Sequence, residues 1–256
     1  MIGVWRWGSL LSQVSSPSQT PSDLTKSMEA KLDNPVWHSL KETHKQYSID
    51  GGNICFYHPD YCPFGGFINS NGIANEIDRY ARLTEKFYIV GEKPRFSEKL
   101  SMINELVCDQ MVIENRIGMD EDETILRIDK DYKDELFNLV NLVQPGYFKP
   151  KTSSLGSYYG IFKNGTLVAV TGERMKMNDL TEVSAVVTHP DHTGKGYAKK
   201  LVAFTTSKIF DESRIPYLHV SETNTGAISL YNKLGFKLRR KISFWTFIRE
   251  ASLSHP

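Results

Sequence analysis

Residues 181–201 read TEVSAVVTHPDHTGKGYAKKL, and the fold turns on how this stretch is read. Its first part is apolar and rich in valine, which predicts a strand stopped by Pro190. Gly194 and Gly196 then flank Lys195. From Tyr197 the pattern becomes helical, with Ala198, Leu201, Val202, Thr205 and Ile209 on one face and Lys199, Lys200 and Lys208 elsewhere. A strand that runs through Gly-Lys-Gly into a helix exposes backbone N–H groups at the positive end of the helix dipole. Such an end suits a phosphate. A plain strand-to-helix turn has the same pattern, so the loop alone leaves both readings open. It is neither a Walker loop nor a dinucleotide GxGxxG loop.

Around this centre the second half of the chain alternates regularly. SYYGIFKNGTLVAVTGERM reads as a hairpin turning at Asn164-Gly165, where both residue types tolerate positive φ. PYLHVSE, at 216–222, is a further strand. NTGAISLYNKLG, at 224–235, is a helix capped by Asn224 and stopped by Gly235. FKLRRKISFWTFI closes the half as one or two strands. Upstream, Leu136, Leu139, Val140 and Val143 mark another helix. The order predicts an α/β (α+β) fold, with a mixed, mostly antiparallel sheet flanked by helices.

The first half reads as a smaller α/β unit over 28–118, and the second as a unit over 123–250. DNPVWHSLKETHKQY is a short helix capped by Asp33 or Asn34, with Pro35 in its first turn. ICFYHP and EKFYIVGEK are strands, with NEIDRYARLTE as a helix between them. MINELVCDQMVIEN, at 102–115, reads as helix first and strand second. Residues 1–27 are rich in Ser, Pro, Thr and Gln, and read as a tail or as a start placed too early, with Met28 as the alternative.

Bulk properties narrow the function. The net charge is +1 over 256 residues, which argues against a broad nucleic-acid footprint. No apolar run approaches the roughly 18 residues of a membrane helix. Cys55, Cys62 and Cys108 show no CxxC spacing and are expected as reduced thiols of a cytoplasmic protein. His189, His192 and His219 lack a carboxylate that would complete a metal set, so no metal is expected. Arg239, Arg240 and Lys241 read as a solvated strand face.

TEVSAVVTHPDHTGKGYAKKL, followed by HVSETNTGAISLYNKLGFKLRR at 219–240, resembles the Gcn5-related N-acetyltransferase (GNAT) superfamily. Within it, the similarity is closest to the FR47-like branch, which resembles the C-terminal domain of glycine N-acyltransferase. HPDHTGKGYA matches the acyl-CoA pyrophosphate loop, and NTGAISLYNKLGF the second signature. The resemblance is strong over about 155–245. NPVWHSL, at 34–40, also looks like the start of members whose first half is a degenerate unit of the same kind. One position departs: Thr193 stands where the family usually carries Arg or Gln. Lys195 and Lys199 could compensate as point charges.

The resemblance implies an acyl-CoA-dependent N-acetyltransferase acting on a primary amine of a small molecule or amino acid. Acetyl-CoA or another short acyl-CoA is the implied co-substrate, in a monomer or homodimer without nucleic-acid or membrane partners. Its pantetheine arm would pair with the main chain of Val186, Val187 and Thr188. The pyrophosphate would sit over Thr193, Gly194, Lys195, Gly196, Tyr197, Ala198 and Lys199. Glu182 is the candidate base for the ammonium form of the acceptor, with substrate contact and a solvated carboxylate as alternatives. Residues 182, 184 and 186 are expected on one face of their strand. Tyr231 is the candidate proton donor to the leaving thiolate, or a core aromatic. Asn224 is a helix cap, a cofactor contact, or both. The cysteines lie outside both signatures, so no thiol intermediate is expected. A catalytically weak acyl-CoA-binding or protein-interaction module and a protein N-acetyltransferase are the competing readings.

Overall fold

The computed structural model describes residues 29–118 and 124–249. The expectations for residues 1–27, including Met28 as a start, lie outside them. Residues 29–33 are helical, and helix α1 follows at Pro35–Lys41. Asn34 caps α1, accepting from the Trp37 N–H at 3.4 Å, and Pro35 occupies the first turn, where its missing N–H costs nothing. The strands of the first half are β1 (Ser48–Asp50), β2 (Ile54–Tyr57), β3 (Phe64–Phe67), β4 (Lys86–Val90) and β5 (Leu100–Val112), with helix α2 (Ala74–Tyr80) before β4. The second half runs β6 (Leu126–Arg127), α3 (Lys133–Val143), β7 (Tyr158–Lys163), β8 (Thr166–Lys176), β9 (Leu180–Thr188), α4 (Tyr197–Asp211), β10 (Ile215–Ser221), α5 (Thr225–Lys233) and β11 (Lys237–Arg249).

The eleven strands among the described residues form one sheet, in the order β1-β2-β3-β4-β11-β5-β10-β9-β8-β7-β6. The pairs are antiparallel except β3–β4 and β9–β10. The β7–β8 turn uses Asn164 at φ 51° and Gly165 at φ 79°, the positive angles the hairpin reading requires. Residues 237–248 belong to one long strand, β11.

Residues 102–115 correct the expectation of a helix followed by a strand. β5 is a single strand through Val112, lying between β10 and β11. Cys108 enters the core on one face of the sheet and Met111 the core on the other. The first half thus lends its last strand to the sheet of the second.

The two faces are covered differently. On one, Val202 and Ile209 of α4, Tyr231 of α5 and Leu234 at its C-cap pack against Val183, Leu218 and Met111. On the other, Val36, Trp37 and Leu40 of α1 pack in a core with Met175, Leu180 and Tyr217. Leu136, Leu139 and Val140 of α3 are buried, while Val143, at the helix end, is exposed. No helix among the described residues is long and apolar enough to cross a membrane.

Candidate active site

β9 and β10 run side by side only briefly. Leu180, Thr181 and Glu182 face Ile215, Pro216 and Tyr217, and no pairing continues beyond. Past this fork the β10-facing edge of β9 is open, while its other edge stays on β8 through Val187 and Thr188. Unpaired strand edges offer ready backbone donors and acceptors to an extended chain.

The open stretch contains a bulge. Ala185 has φ 51°, a left-handed angle uncommon outside glycine, and the β8 register slips there, from Val170–Val187 to Gly172–Ser184. The bulge corrects the expected alternation of 182, 184 and 186. Val186 joins Val183 on the α4–α5 face, while Ala185 and Val187 pack toward the α3 core. An extra residue in one strand inverts every side chain after it.

Beyond Thr188 the chain closes on itself. The His189 side chain accepts from the Asp191 N–H at 3.3 Å, and the Thr193 hydroxyl donates to the Pro190 carbonyl at 3.1 Å. Gly194 and Gly196 both have φ 75°, and a Cβ at either would meet nothing within 4 Å. Glycine is needed here for backbone angle and not for room inside the protein. Gly196 is the N-cap of α4 and supplies no side-chain cap, so the first turn keeps its N–H groups pointed outward. The Tyr197 ring turns inward against Leu201, which leaves its main chain to the loop. Lys195 and Lys199 are exposed.

On α5, the Asn224 carbonyl oxygen accepts from the Ala227 N–H at 3.1 Å, as a helix cap does. Tyr231, one turn on, is 7% exposed and shares the cluster of Val183 and Val186, beside the bulge. Burial pushes its phenol up to about 12. It therefore stays protonated at neutral pH and can donate.

Glu182 lies on the other face and is 1% exposed. Its oxygens accept from Arg174 Nε at 2.7 Å and Nη2 at 2.8 Å, and Oε1 also meets His219 Nδ1 at 2.8 Å. Burial alone would raise its carboxyl, but the Arg174 charge and the bonds from Arg174 and His219 outweigh that and hold it at about 2. Gln110, fully buried, donates from Nε2 to the Leu32 carbonyl at 2.8 Å and accepts from Arg239 at 2.9 Å, which orients its amide. The same Nε2 lies 3.1 Å from His219 Nε2. That ring nitrogen is therefore the acceptor, and Nδ1 donates to Glu182. The solvated-carboxylate reading of Glu182 fails, and the base role does not fit either. A carboxylate held near 2, with both oxygens engaged, accepts a proton poorly at neutral pH.

The sequence reading missed Arg174, Gln110 and His219 as partners of Glu182. A carboxylate on a buried strand was the available signal, since such a group needs a counter-ion. The eight-residue separation of Arg174 and Glu182 across a hairpin with a register shift hid which cation supplies it.

The three thiols are free and buried in one core cluster, and burial raises Cys62 and Cys108 to about 12. Thiols so held are poor nucleophiles. His189 and His192 sit on the loop, apart from the His219 network. A cavity of about 210 Å³, lined by Glu29, Leu32, Leu180 and Arg239 among others, lies at the start of β9, the end away from the loop.

These features can be set beside known proteins. Residues 158–245 match the family model of FR47-like proteins. A structure assigned to the GNAT acetyltransferase family, from Novosphingobium aromaticivorans, superposes with a TM-score of 0.79 at 28% identity, covering 86% of this chain and 99% of that one. A GCN5-related N-acetyltransferase from Kribbella flavida gives 0.56 at 12% identity, over 89% and 95%. A tandem GNAT protein from the clavulanic acid biosynthesis pathway gives 0.51 at 13%, over 77% and 80%; at these identities the last two speak for the fold alone. A search of curated proteins found no match. The fork, the glycine loop and the fold agree: over residues 158–245 the chain is similar to FR47-like proteins, and its fold is that of the GNAT acetyltransferases.

Proposed function

We propose that the protein moves an acetyl or short acyl group from acyl-CoA to a primary amine of a small molecule or amino acid, by direct attack within a ternary complex. One observation carries this reading. The open edge of β9 runs past the Ala185 bulge into a glycine loop and an uncapped helix N-terminus. An extended chain ending in phosphates fits such a track. The pantetheine arm would pair along Val186, Val187 and Thr188. The pyrophosphate would lie over Thr193 to Lys199, held chiefly by main-chain N–H groups. Thr193 spends its hydroxyl inside the loop, so cationic help falls to Lys195 and Lys199.

The thioester brings the activated acyl group, and the protein positions it. A main-chain N–H at the bulge stabilises the carbonyl oxygen as charge develops. The amine nitrogen forms the new C–N bond, the C–S bond breaks, Tyr231 gives its proton to the leaving sulfur, and the proton shed by the new amide nitrogen returns through water to the Tyr231 oxygen. Glu182 is not the base in this scheme. The amine reaches the site neutral or loses its proton to water. Buried, reduced thiols and an acyl-CoA requirement suit the cytoplasm.

Calorimetric titration with acetyl-CoA, CoA and ATP tests the binding half. Saturable binding of the first two but not ATP supports it, and no binding refutes it. Thiol release across a panel of amines tests turnover. The locked state of Glu182 favours one alternative, an acyl-CoA-binding module without turnover. Tight CoA binding with no thiol release from any amine would establish that alternative.

A further inference from the structure

Arg174 does more than neutralise Glu182. Its Nε and Nη2 serve the carboxylate, while Nη1 has no partner among the described residues. Nor is Nη1 sealed in: the side chain keeps 14% exposure, and this nitrogen is not among the enclosed unsatisfied atoms. The guanidinium sits over Phe64, with its central carbon 4.7 Å from the ring centroid. Pairing and stacking together fix its direction.

Tyr158 is a second, independent feature. It is 3% exposed, yet its hydroxyl has no partner among the described residues and is not enclosed either. Its ring rests on Gly172, where a Cβ would come within 2.3 Å of it. Gly172 precedes Arg174 by two residues on β8 and pairs with Ser184, which follows Glu182 by two on β9. The phenol and the guanidinium therefore belong to one face of the sheet, one strand step of about 7 Å apart in level. That level is beside the Ala185 bulge.

Resting on the acyltransferase reading, we propose that Arg174, with the Tyr158 hydroxyl, receives a carboxylate on the acceptor, so that the preferred acceptors are amines bearing a carboxylate near the nitrogen. Glu182 already offsets the Arg174 charge, so a singly charged planar group suits the site better than a phosphate dianion. The ion pair costs the protein flexibility and gives a receptor that needs no rearrangement on binding.

The test uses the full chain and compares acetyl transfer to alanine, alaninamide and a simple alkylamine. Alaninamide has the less basic amine, so the chemistry alone would favour it over alanine. The expected result is the opposite: alanine ahead in kcat/KM by about 10- to 100-fold, the size of a charge-assisted contact. R174Q should abolish that preference, R174K should restore part of it, and Y158F should lower it several-fold. The wild-type comparison stands even if R174Q fails to fold. Equal or better transfer to alaninamide and the alkylamine overturns the carboxylate assignment and leaves the acyltransferase reading intact. No transfer to any amine overturns both.

Discussion

Replacing Glu182 with glutamine separates a proton acceptor from a structural counter-ion. If Glu182 were an exposed base, E182Q would leave the fold untouched and move the acidic limb of the rate profile. The geometry requires the reverse. The substitution strands the Arg174 charge, nearly out of water and with its bidentate partner gone. Breaking a buried pair in this way costs about 3–5 kcal/mol. Linkage gives a similar size: a carboxyl moved from 4.5 to about 2 on folding contributes roughly 3 kcal/mol at neutral pH. For a chain of this length that corresponds to a fall in Tm of about 6–20 °C. The sign over pH follows from the depressed folded-state value. The contribution is complete above about pH 4.5 and is lost as pH falls toward about 2, so the gap between wild type and E182Q closes across that window. Thermal unfolding followed by circular dichroism at pH 7, and denaturant midpoints at pH 7, 5 and 3, would measure it. An unchanged Tm at pH 7, together with a displaced rate profile, would refute the counter-ion assignment and restore Glu182 as the base.

Gly196→Ala meets no protein atom but must hold φ 75°, at about 1–2 kcal/mol. Tm should fall by only about 2–8 °C, while on the proposed binding mode acetyl-CoA affinity drops at least about tenfold, since the strained loop no longer presents its N–H groups to the pyrophosphate; unchanged affinity in calorimetry would remove the loop from the site. Tyr231→Phe should lower kcat by about 10²-fold or more with CoA affinity within a few-fold, and equal turnover would dismiss Tyr231 as the proton donor. His44 is buried against Ser39 and Tyr57, and burial lowers it to about 4. The unfolded chain therefore takes up the proton first, and stability should decline as pH falls from about 6.5 to 4. The advantage of wild type over H44Q in urea should shrink over that range; a constant difference would contradict it. Cys55, Cys62 and Cys108 should resist a thiol reagent in the native state and react together after denaturation.

Local patterns were legible wherever one stretch of chain settles its own geometry. The Asn164-Gly165 turn, the Asn34 and Asn224 caps and the Gly194 and Gly196 loop depend on backbone angles and donors a few residues apart. Their residue types announce them. The 102–115 segment failed this reading because its hydrophobic spacing is irregular. It is a strand because β10 and β11 receive its backbone, and those partners lie more than a hundred residues away. The Ala185 bulge escaped notice for a related reason: nothing in SAVV marks which residue is extra, and the count is set against β8.

The sequence by itself determined the succession of strands and helices in the second half, the turn chemistry and the glycine loop, together with the two signatures by which the chain resembles its family. These follow from periodicity and residue type within short windows. Only the tertiary structure decided that the first half gives β5 to the common sheet, that Val186 faces α4 and α5, and that Glu182 is a counter-ion to Arg174 rather than a free carboxylate. The physical reason is that a proton affinity belongs to an environment and not to a residue. A carboxylate in water and one held by a buried guanidinium are written with the same letter, and only the packing that brings Arg174, His219 and Gln110 around position 182 distinguishes them.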